Sequence, residues 1–274
     1  MADSRNRAGD AGYPEPALFD TGVPHIARVY NYWLGGKDNF AIDRETGDQA
    51  IRAYPSIVLS ARANRAFLTR AVRFLAGEAG IRQFLDIGTG IPTQNNTHEV
   101  AQSVAPQARV VYVDNDPLVL SHARALLTSD PAGSTDYLDA DLRDPQKILD
   151  SAVKLLDFSQ PVGLMLIAIL QHVDDEDDPV AIVRALVRAL PPGSYLALSH
   201  PANDLDAAVV TMSDQLNETI AERITLRGRA AVAGFFDGLE LIEPGMARAS
   251  KWRPTSEMEA ATPAGLWAGV ALKQ

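Results

Sequence analysis

Short apolar runs and amphipathic stretches alternate through the middle of the chain. Short apolar runs are typical of buried strands, whereas apolar residues repeated at every third or fourth position are typical of helices. The predicted strands of this region cover residues 83–87, 110–113, 135–138, 162–169 and 195–199. The helices predicted between them cover residues 97–104, 117–128 and 180–190. Strands separated by helices of this length indicate parallel βαβ units and therefore a doubly wound α/β sheet.

The regions on either side of this alternating core have different patterns. Ahead of the first strand, helical periodicity covers residues 24–36, 44–53 and 61–76. Beyond residue 200, the pattern predicts two helices and then two closing strands, at 206–223, 229–236, 239–242 and 266–272. With these two strands the predicted sheet is mostly parallel and seven-stranded.

No segment has the length or composition of a linker between domains, so the pattern predicts one domain from residue 21 to residue 274. Residues 1–20, rich in Gly, Pro and charge, are predicted to be a flexible tail. Within the domain we expect three parts, namely an N-terminal helical cap, a ligand-binding core, and a final part with helices and closing strands, at 21–80, 81–200 and 201–274.

Composition limits the class of partner and the location. The formal net charge of −10 disfavours nucleic acid and anionic membranes, because both require a basic surface. The chain has no cysteine, which excludes disulfides, thiolate metal sites and a cysteine nucleophile. The longest apolar run, at 162–170, is too short for a membrane helix, and the polar first residues do not resemble a signal peptide. We expect a cytoplasmic protein that acts on a small molecule, without a nucleic acid or membrane partner.

The first strand of the core runs into Asp86-Ile87-Gly88-Thr89-Gly90, ahead of a predicted helix. In a doubly wound sheet, ligands bind beyond the carboxyl ends of the strands. Gly88 and Gly90 allow the backbone to approach a ligand closely, and Asp86 can accept a hydrogen bond from an ammonium group. The N-terminus of the next helix favours a carboxylate. The pattern indicates a site for an amino acid headgroup, such as that of S-adenosylmethionine, although both glycines can also be purely structural.

Acids also follow the next two strands. Asp114 ends the second strand, where its carboxylate can accept from both hydroxyls of a ribose. Asp141 follows the third strand and can accept from the amino group of adenine, with Leu142 and Ile169 as apolar walls. Each acid alone is more often a helix cap or a solvated loop residue. Acids at three successive strand ends are a more specific pattern, and they indicate one continuous nucleoside site.

Almost the whole chain also resembles one known family. The segments that carry the resemblance are 24–32, 34–39, 62–68, 84–93, 111–117 and 235–238. They resemble a family of predicted S-adenosylmethionine-dependent methyltransferases of actinomycetes, mostly without an assigned acceptor. The resemblance implies the Rossmann-like class I methyltransferase fold, S-adenosylmethionine as the cofactor, and in-line methyl transfer. Ile91 and Pro92 follow Gly90 where the wider class has its third glycine, and we expect Pro92 in the first turn of the next helix.

The predicted cofactor-binding residues are Arg65, Asp86, Gly88, Thr89, Gly90, Asp114, Asn115, Asp141, Leu142 and Ile169. Arg65 belongs to a group of polar residues in the predicted cap and is a candidate partner of the cofactor carboxylate. Tyr30, Tyr32 and Asn64 of the same group are candidates for the acceptor site. The alternative for this polar group is that it ties the cap to the core.

Catalytic residues are hard to identify, because the sulfonium already activates the methyl group and the protein must mainly align the acceptor. His172 and His200 follow the fourth and fifth strands and are candidates for a general base, with structural histidines as the alternative. The acidic run at 174–178 is interpreted as a solvated loop, and no metal is expected. Residues 252–254, Trp-Arg-Pro, are a candidate lid.

Two other functions stay open at this point. A nicotinamide-dependent oxidoreductase would use a related sheet, but its Gly-x-Gly-x-x-Gly motif is interrupted here because Thr93 occupies the third position. A non-catalytic regulator that binds S-adenosylmethionine is equally compatible with the strand-end acids, because no obligatory catalytic residue is recognisable.

Overall fold

In the computed structural model, which describes residues 22–120 and 129–274, a mixed sheet forms the centre of the fold. Its strands in this part of the chain are β1 (Gln83–Ile87), β2 (Arg109–Asp114), β3 (Ser134–Asp139), β4 (Gly163–Ile167), β5 (Tyr195–Pro201), β6 (Glu240–Leu241), β7 (Ala247–Arg248) and β8 (Leu266–Leu272). They lie in the order β3-β2-β1-β4-β5-β8-β6, with β7 paired to β8. Neighbours from β3 to β5 pair in parallel, and β8 is antiparallel to β5. The predicted sheet is confirmed, with the two-residue β7 added.

Helices cover both faces of this sheet. They are α1 (Ile26–Trp33), α2 (Ala41–Ala53), α3 (Ile57–Gly77), α4 (Thr97–Val104), α5 (described over residues 117–120), α6 (Pro145–Ala152), α7 (Pro179–Ala189), α8 (Ala207–Asn217), α9 (Arg229–Gly234) and α10 (Glu257–Ala261). In β1, Phe84 packs with α3 and α4 on one face, and Leu85 packs with α6 and α7 on the other. Successive strand residues point to opposite faces, so a strand buried on both sides is mostly apolar. None of the described helices is long and apolar enough to cross a bilayer.

The helical cap forms a third packing layer. Val29 and Trp33 of α1 pack with Ala50 of α2, Ala61 of α3 and Met212 of α8. Helix α8, from the last third of the chain, therefore packs with the cap. The periodicity of the first 80 residues does not reveal this contact. Because α3 belongs both to this cluster and to the sheet-facing cluster, it connects the cap rigidly to the core.

The predicted helix at 206–223 is wrong in its last third, because α8 ends at Asn217. The Asn217 side chain accepts a hydrogen bond from the Ile224 N–H at 2.7 Å and donates one to the Ile224 carbonyl at 3.0 Å. These two bonds replace the backbone partners that a continued helix would supply. Residues 218–227, called the strap below, instead run as irregular chain toward the carboxyl ends of the strands.

Other boundaries differ for local reasons. The strand predicted at 162–169 ends at Ile167, because Ala168 adopts a left-handed φ of 52°. Pro92 lies in a loop and not in the first turn of α4, which begins at Thr97. Helix α6 was not predicted; it begins at Pro145 after Asp144, which accepts from the Lys147 N–H at 3.1 Å as the N-cap. The predicted tail at 1–20 and residues 121–128 of the predicted helix 117–128 lie outside the described residues.

Candidate cofactor and acceptor site

The loop after β1 requires glycine for two different reasons. Gly88 has a φ of 75°, and a Cβ at this position would lie 2.2 Å from Cγ1 of Ile169. Gly90 has a φ of 62° but faces open space. The Gly88 N–H donates to the Val113 carbonyl at 2.8 Å, and the Gly90 N–H donates to Oδ2 of Asp114 at 3.0 Å. The loop is therefore closed onto the end of β2.

Asp86 is a buried carboxyl group at the carboxyl end of β1. Its side chain is on the face of α3 and α4, the residue is 4% exposed, and Oδ2 accepts from the Thr97 hydroxyl at 2.6 Å. Burial raises the pKa of Asp86 to about 6, while the hydrogen bond from Thr97 and the charge of Arg65 act in the opposite direction. A buried carboxylate with one hydrogen bond is well suited to a bound cation.

Asp114 occupies the corresponding position at the end of β2. Oδ2 accepts from the Gly90 N–H, and Oδ1 accepts from the Asp116 N–H at 3.0 Å. Burial is the largest factor that raises its pKa to about 6, and the charges of Asp116 and Glu222 add to it. Each oxygen of a carboxylate can accept more than one hydrogen bond, so Asp114 can still receive two hydroxyl groups.

Arg65 reaches from α3 to the loop that joins β1 to α4. Its Nη2 donates to the carbonyls of Gln94 and Asn95, at 3.1 Å each. These bonds fix the guanidinium beside the loop, and its charge reaches Asp86. A cation and a buried carboxylate thus face the same loop, which is the arrangement that an amino acid headgroup requires.

At the end of β3, Asp141 belongs to a network of polar side chains. Asn115 donates to Oδ2 of Asp141 at 3.0 Å, and the Arg143 guanidinium contacts both carboxylate oxygens at 3.2 Å. Arg143 also donates to Asp177 at 2.9 Å and to the His172 carbonyl at 2.5 Å. The network joins the carboxyl end of β3, on the predicted adenine side, to the chain that follows β4.

The strand ends, the cap and the strap line a cavity of about 440 Å³. This volume is within the range of small-molecule and cofactor pockets, which is about 300–1,000 Å³. The predicted residues that line it are Tyr30, Asn64, Arg65, Asp86, Gly88, Thr89, Gly90, Asp114, Asn115, Asp141, Leu142, Ile169 and His172. The three strand-end acids therefore lie around one space.

Three predicted residues or segments do not line this cavity. Tyr32 points away from it and donates to Oδ1 of Asp48 at 2.7 Å. His200 is fully buried; its Nε2 lies 3.0 Å from Nη1 of Arg227 and its Nδ1 lies 2.8 Å from the Pro201 carbonyl. Burial lowers the pKa of His200 to about 3, so it is a neutral structural histidine and not a base. The candidate lid is also wrong, because Trp252 is fully buried against Phe67.

Tyr30 and Asn64 tie the cap to the core and also line the cavity. The Tyr30 hydroxyl donates to the Ala61 carbonyl and accepts from the Asn64 amide, both at 3.2 Å. The Ser199 hydroxyl donates to Oδ1 of Asn64 at 2.6 Å, which joins the cap to β5. Tyr30 and Asn64 line the cavity at the same time.

The acidic run at 174–178 is predicted to be a solvated loop, but several of its side chains make hydrogen bonds or ion pairs with other parts of the chain. Asp174 accepts from the Thr225 hydroxyl at 2.6 Å, and Asp175 pairs with Arg227 of the strap at 2.7 Å. Asp178 caps α7 by accepting from the Ala181 N–H at 3.0 Å. Within the described residues, no cluster of His, Asp or Glu has the arrangement of a metal site.

Sequence reasoning missed several cavity residues. They are His25, Asp116, Gln171, Glu222 and Arg223. Gln171 lies two residues beyond the end of the predicted fourth strand, so its position beyond a strand end is a signal that is present in the pattern. Glu222 and Arg223 belong to the strap, and only the tertiary contacts of the strap bring them to the cavity.

The strand order reverses between β1 and β4, and the strand-end acids gather at this reversal, which defines a Rossmann-like nucleoside-binding protein. The chain belongs to the S-adenosyl methyltransferase family, whose model matches residues 13–274. It is therefore an S-adenosylmethionine-dependent methyltransferase with S-adenosylmethionine as its cofactor. The nicotinamide alternative has no support from this match.

Solved structures agree with this family. A DUF574 family protein from Streptomyces avermitilis is 46% identical with a TM-score of 0.89, over 93% of this chain and 99% of that one. A protein from Thermobifida fusca is 42% identical with a TM-score of 0.86, over 96% and 99% of the two chains. A SAM-dependent methyltransferase from Anabaena variabilis, 13% identical over 91% and 96% of the chains with a TM-score of 0.50, supports the fold alone. No curated protein matches the sequence.

Proposed function

We propose that this methyltransferase acts on a small-molecule acceptor, which it aligns in the 440 Å³ cavity for in-line attack on the methyl group. The observation that carries the proposal is that one cavity is lined both by the three strand-end acids and by the cap residues Tyr30 and Asn64. A cofactor and an acceptor in the same cavity can reach the contact distance that methyl transfer requires.

The side chains of the cavity match the chemical groups of the cofactor. In the proposal, Asp86 accepts from the ammonium group and Arg65 pairs with the carboxylate. Asp114 accepts from the ribose hydroxyls, because its two oxygens are held by backbone N–H groups and keep further acceptor capacity. Gly88, Thr89 and Gly90 admit the backbone to close contact with the cofactor.

The adenine side of the proposed site is the Asp141 network. Asp141 and Asn115 offer polar atoms for the exocyclic amino group, and Leu142 and Ile169 offer apolar surface for the ring. Because Ile169 also fills the space above Gly88, its position and that of the loop are coupled.

When bound, the sulfonium supplies an activated methyl carbon, and the electron pair of the broken C–S bond stays on sulfur to give S-adenosylhomocysteine. The protein's own contribution is to orient the acceptor and to exclude water. A base is required only for an acceptor that must lose a proton. Of the two predicted histidines, His172 is the one that lines the cavity, and burial lowers its pKa.

Two observations favour a small molecule over a macromolecule. The strap and the cap cover the strand ends, which restricts the size of the acceptor. The net charge of −10 disfavours nucleic acid. The cytoplasmic location expected from the sequence stays a prediction.

Calorimetric titration with S-adenosylhomocysteine and S-adenosylmethionine tests the cofactor site. Asp114→Ala should abolish micromolar binding, and Asp237→Ala, at an exposed turn outside the cavity, is the matched control. The acceptor is then sought by release of S-adenosylhomocysteine across a panel of small molecules. If neither cofactor form binds to the wild-type protein, the proposed function is wrong.

A further inference from the structure

The strap contains a short loop, residues 218–223, that is anchored at both ends. At its base, the Asn217 side chain bonds to the N–H and to the carbonyl of Ile224. Directly after the loop, the Thr225 N–H donates to the Gln171 carbonyl at 2.8 Å, and the Thr225 hydroxyl donates to Asp174 at 2.6 Å. These bonds fix where the loop leaves and rejoins the body of the protein, beside the cavity.

Glu222 is a half-buried residue of this loop, and it lines the cavity. Burial is the main reason for the raised pKa of Asp114, and the charge of Glu222 adds to it. Burial also lowers the pKa of His172, and the charge of Glu222 opposes this effect. The Glu222 carboxylate is therefore within Coulombic range of the end of β2 and of the chain after β4. Arg223, the next residue, is exposed, so solvent screens its charge more strongly.

The other acids of the cavity wall each accept a hydrogen bond or lie beside a basic group. Asp141 pairs with Arg143 at 3.2 Å, and Oδ2 of Asp116 lies 3.4 Å from Nδ1 of His25. Among residues 22–120 and 129–274, the Glu222 side chain has no hydrogen bond or ion pair. The loop thus carries a carboxylate at the cavity whose charge the described part of the protein does not compensate.

One charge of the cofactor also has no protein group of its own. In the orientation proposed above, the ammonium faces Asp86, the carboxylate faces Arg65, and the ribose hydroxyls face Asp114. The positive sulfonium is left over. Its sulfur is joined through C5′ to the ribose, so it lies only a few bonds from the hydroxyls that Asp114 receives. A carboxylate whose charge reaches Asp114 therefore reaches the sulfonium as well, because Coulombic attraction acts at a distance.

We propose that Glu222 is the counter-ion of the sulfonium, so that the strap distinguishes S-adenosylmethionine from S-adenosylhomocysteine by charge. The inference rests on the proposed function, because it uses the cofactor orientation given there. Methyl transfer leaves the sulfur neutral, since the electron pair of the broken C–S bond stays on sulfur. The attraction to Glu222 is then lost, and the product is held less strongly than the next molecule of cofactor. Glu222 is thus a specificity-determining residue that favours the exchange of product for cofactor.

The ratio of two affinities tests this role. Calorimetry at pH 7.5, above the pKa of about 6 of Asp114, measures binding of S-adenosylmethionine and S-adenosylhomocysteine to each protein. Glu222→Gln removes the charge and keeps the size of the side chain. It should weaken binding of S-adenosylmethionine by about threefold to tenfold and that of S-adenosylhomocysteine by less than about twofold. Sinefungin, which carries an ammonium group in place of the methylated sulfur, should be weakened like S-adenosylmethionine.

Glu218→Gln is the matched control, because Glu218 lies on the same loop but is exposed and does not line the cavity. It should leave the ratio of the two affinities unchanged. If Glu222→Gln weakens all three ligands alike, its effect is on the shape of the strap, and the proposed role is wrong. An unchanged affinity for S-adenosylmethionine would also overturn it, and is expected if Glu222 instead serves a cationic methyl acceptor. Only failure of the wild-type protein to bind either cofactor form would refute the proposed function, and this inference with it.

Discussion

The backbone N–H of Gly90 donates to Oδ2 of Asp114 at 3.0 Å, and this bond joins the two most informative positions of the sequence. Because Gly88 is also bonded to the Val113 carbonyl, the loop after β1 and the acid after β2 form one unit. The shape of the loop therefore determines where the Asp114 carboxylate lies. A substitution in the loop acts on the nucleoside site even when the new side chain does not enter the cavity.

Gly88→Ala should be much more destabilising than Gly90→Ala. Both glycines have a positive φ, which costs about 1–2 kcal/mol for a residue with a Cβ. Only at position 88 does the Cβ also meet a side chain, at 2.2 Å from Ile169. Urea unfolding of the two variants measures the difference, which is the cost of displacing Ile169.

The double variant Gly88→Ala with Ile169→Ala separates the two contributions. The space released by Ile169 should recover the steric part of the Gly88→Ala loss and leave the strain of the positive φ. If the losses of the two single variants simply add, Ile169 is not the group that requires glycine at position 88.

Asp86→Asn should stabilise the ligand-free protein at neutral pH and weaken binding of S-adenosylhomocysteine. Burial raises the pKa of Asp86 from 3.8 to about 6 in the folded protein. A group whose folded pKa is raised contributes stability that is complete below pH 4 and is lost as the pH rises through 6. At pH 7 the ionised carboxylate therefore opposes folding, by on the order of 2–3 kcal/mol.

Thermal unfolding between pH 4.5 and 7.5 tests this trade-off. The variant should melt above the wild type at pH 7.5, and the difference should shrink toward pH 4.5, where Asp86 of the wild type is protonated. Saturating S-adenosylhomocysteine should stabilise the wild type more than the variant. A variant that melts lower at every pH would show that the carboxylate is a net stabilising group.

His200→Phe should destabilise the fold without changing the affinity for S-adenosylhomocysteine. The substitution removes the acceptor for Nη1 of the buried Arg227, at a cost of about 1–3 kcal/mol. His200→Gln, which keeps an acceptor, is the matched comparison and should be milder. Melting temperature and calorimetry measure the two effects; loss of cofactor affinity in a folded His200→Phe protein would contradict the structural role.

The position of His200 illustrates what a local sequence pattern cannot predict. The short apolar run predicts a strand that ends at residue 199, which would place His200 in the following loop. Antiparallel pairing opposes His200 to Trp267 and continues β5 to Pro201, so His200 remains within the strand. The pairing partner comes from the end of the chain, and the local pattern around residue 200 contains no information about it.

Positions set by local chemistry were predicted more accurately. The bounds of β1, α4 and β8 agree with the pattern. The ends of β1 to β3 then placed Asp86, Asp114 and Asp141 around one cavity. The path of the strap depends on tertiary contacts, such as the Thr225 N–H with the Gln171 carbonyl, and no spacing in the sequence reveals them.

Arg65→Ala should weaken the binding of S-adenosylhomocysteine but not of 5′-methylthioadenosine, which lacks the amino acid headgroup. If the guanidinium pairs with the headgroup carboxylate, its loss removes a charged hydrogen bond worth about 1.5–3 kcal/mol, or roughly tenfold or more in affinity.

Because Arg65 also donates to the carbonyls of Gln94 and Asn95, a purely structural effect on the loop is the competing explanation. A disordered loop would displace Asp114 through Gly90 and lower the affinity for both ligands. Asp114→Ala serves as the reference for that case, since it should weaken both ligands alike. Calorimetry with the two ligands on Arg65→Ala therefore distinguishes direct pairing with the carboxylate from support of the loop, and equal losses for the two ligands would assign Arg65 to the loop alone.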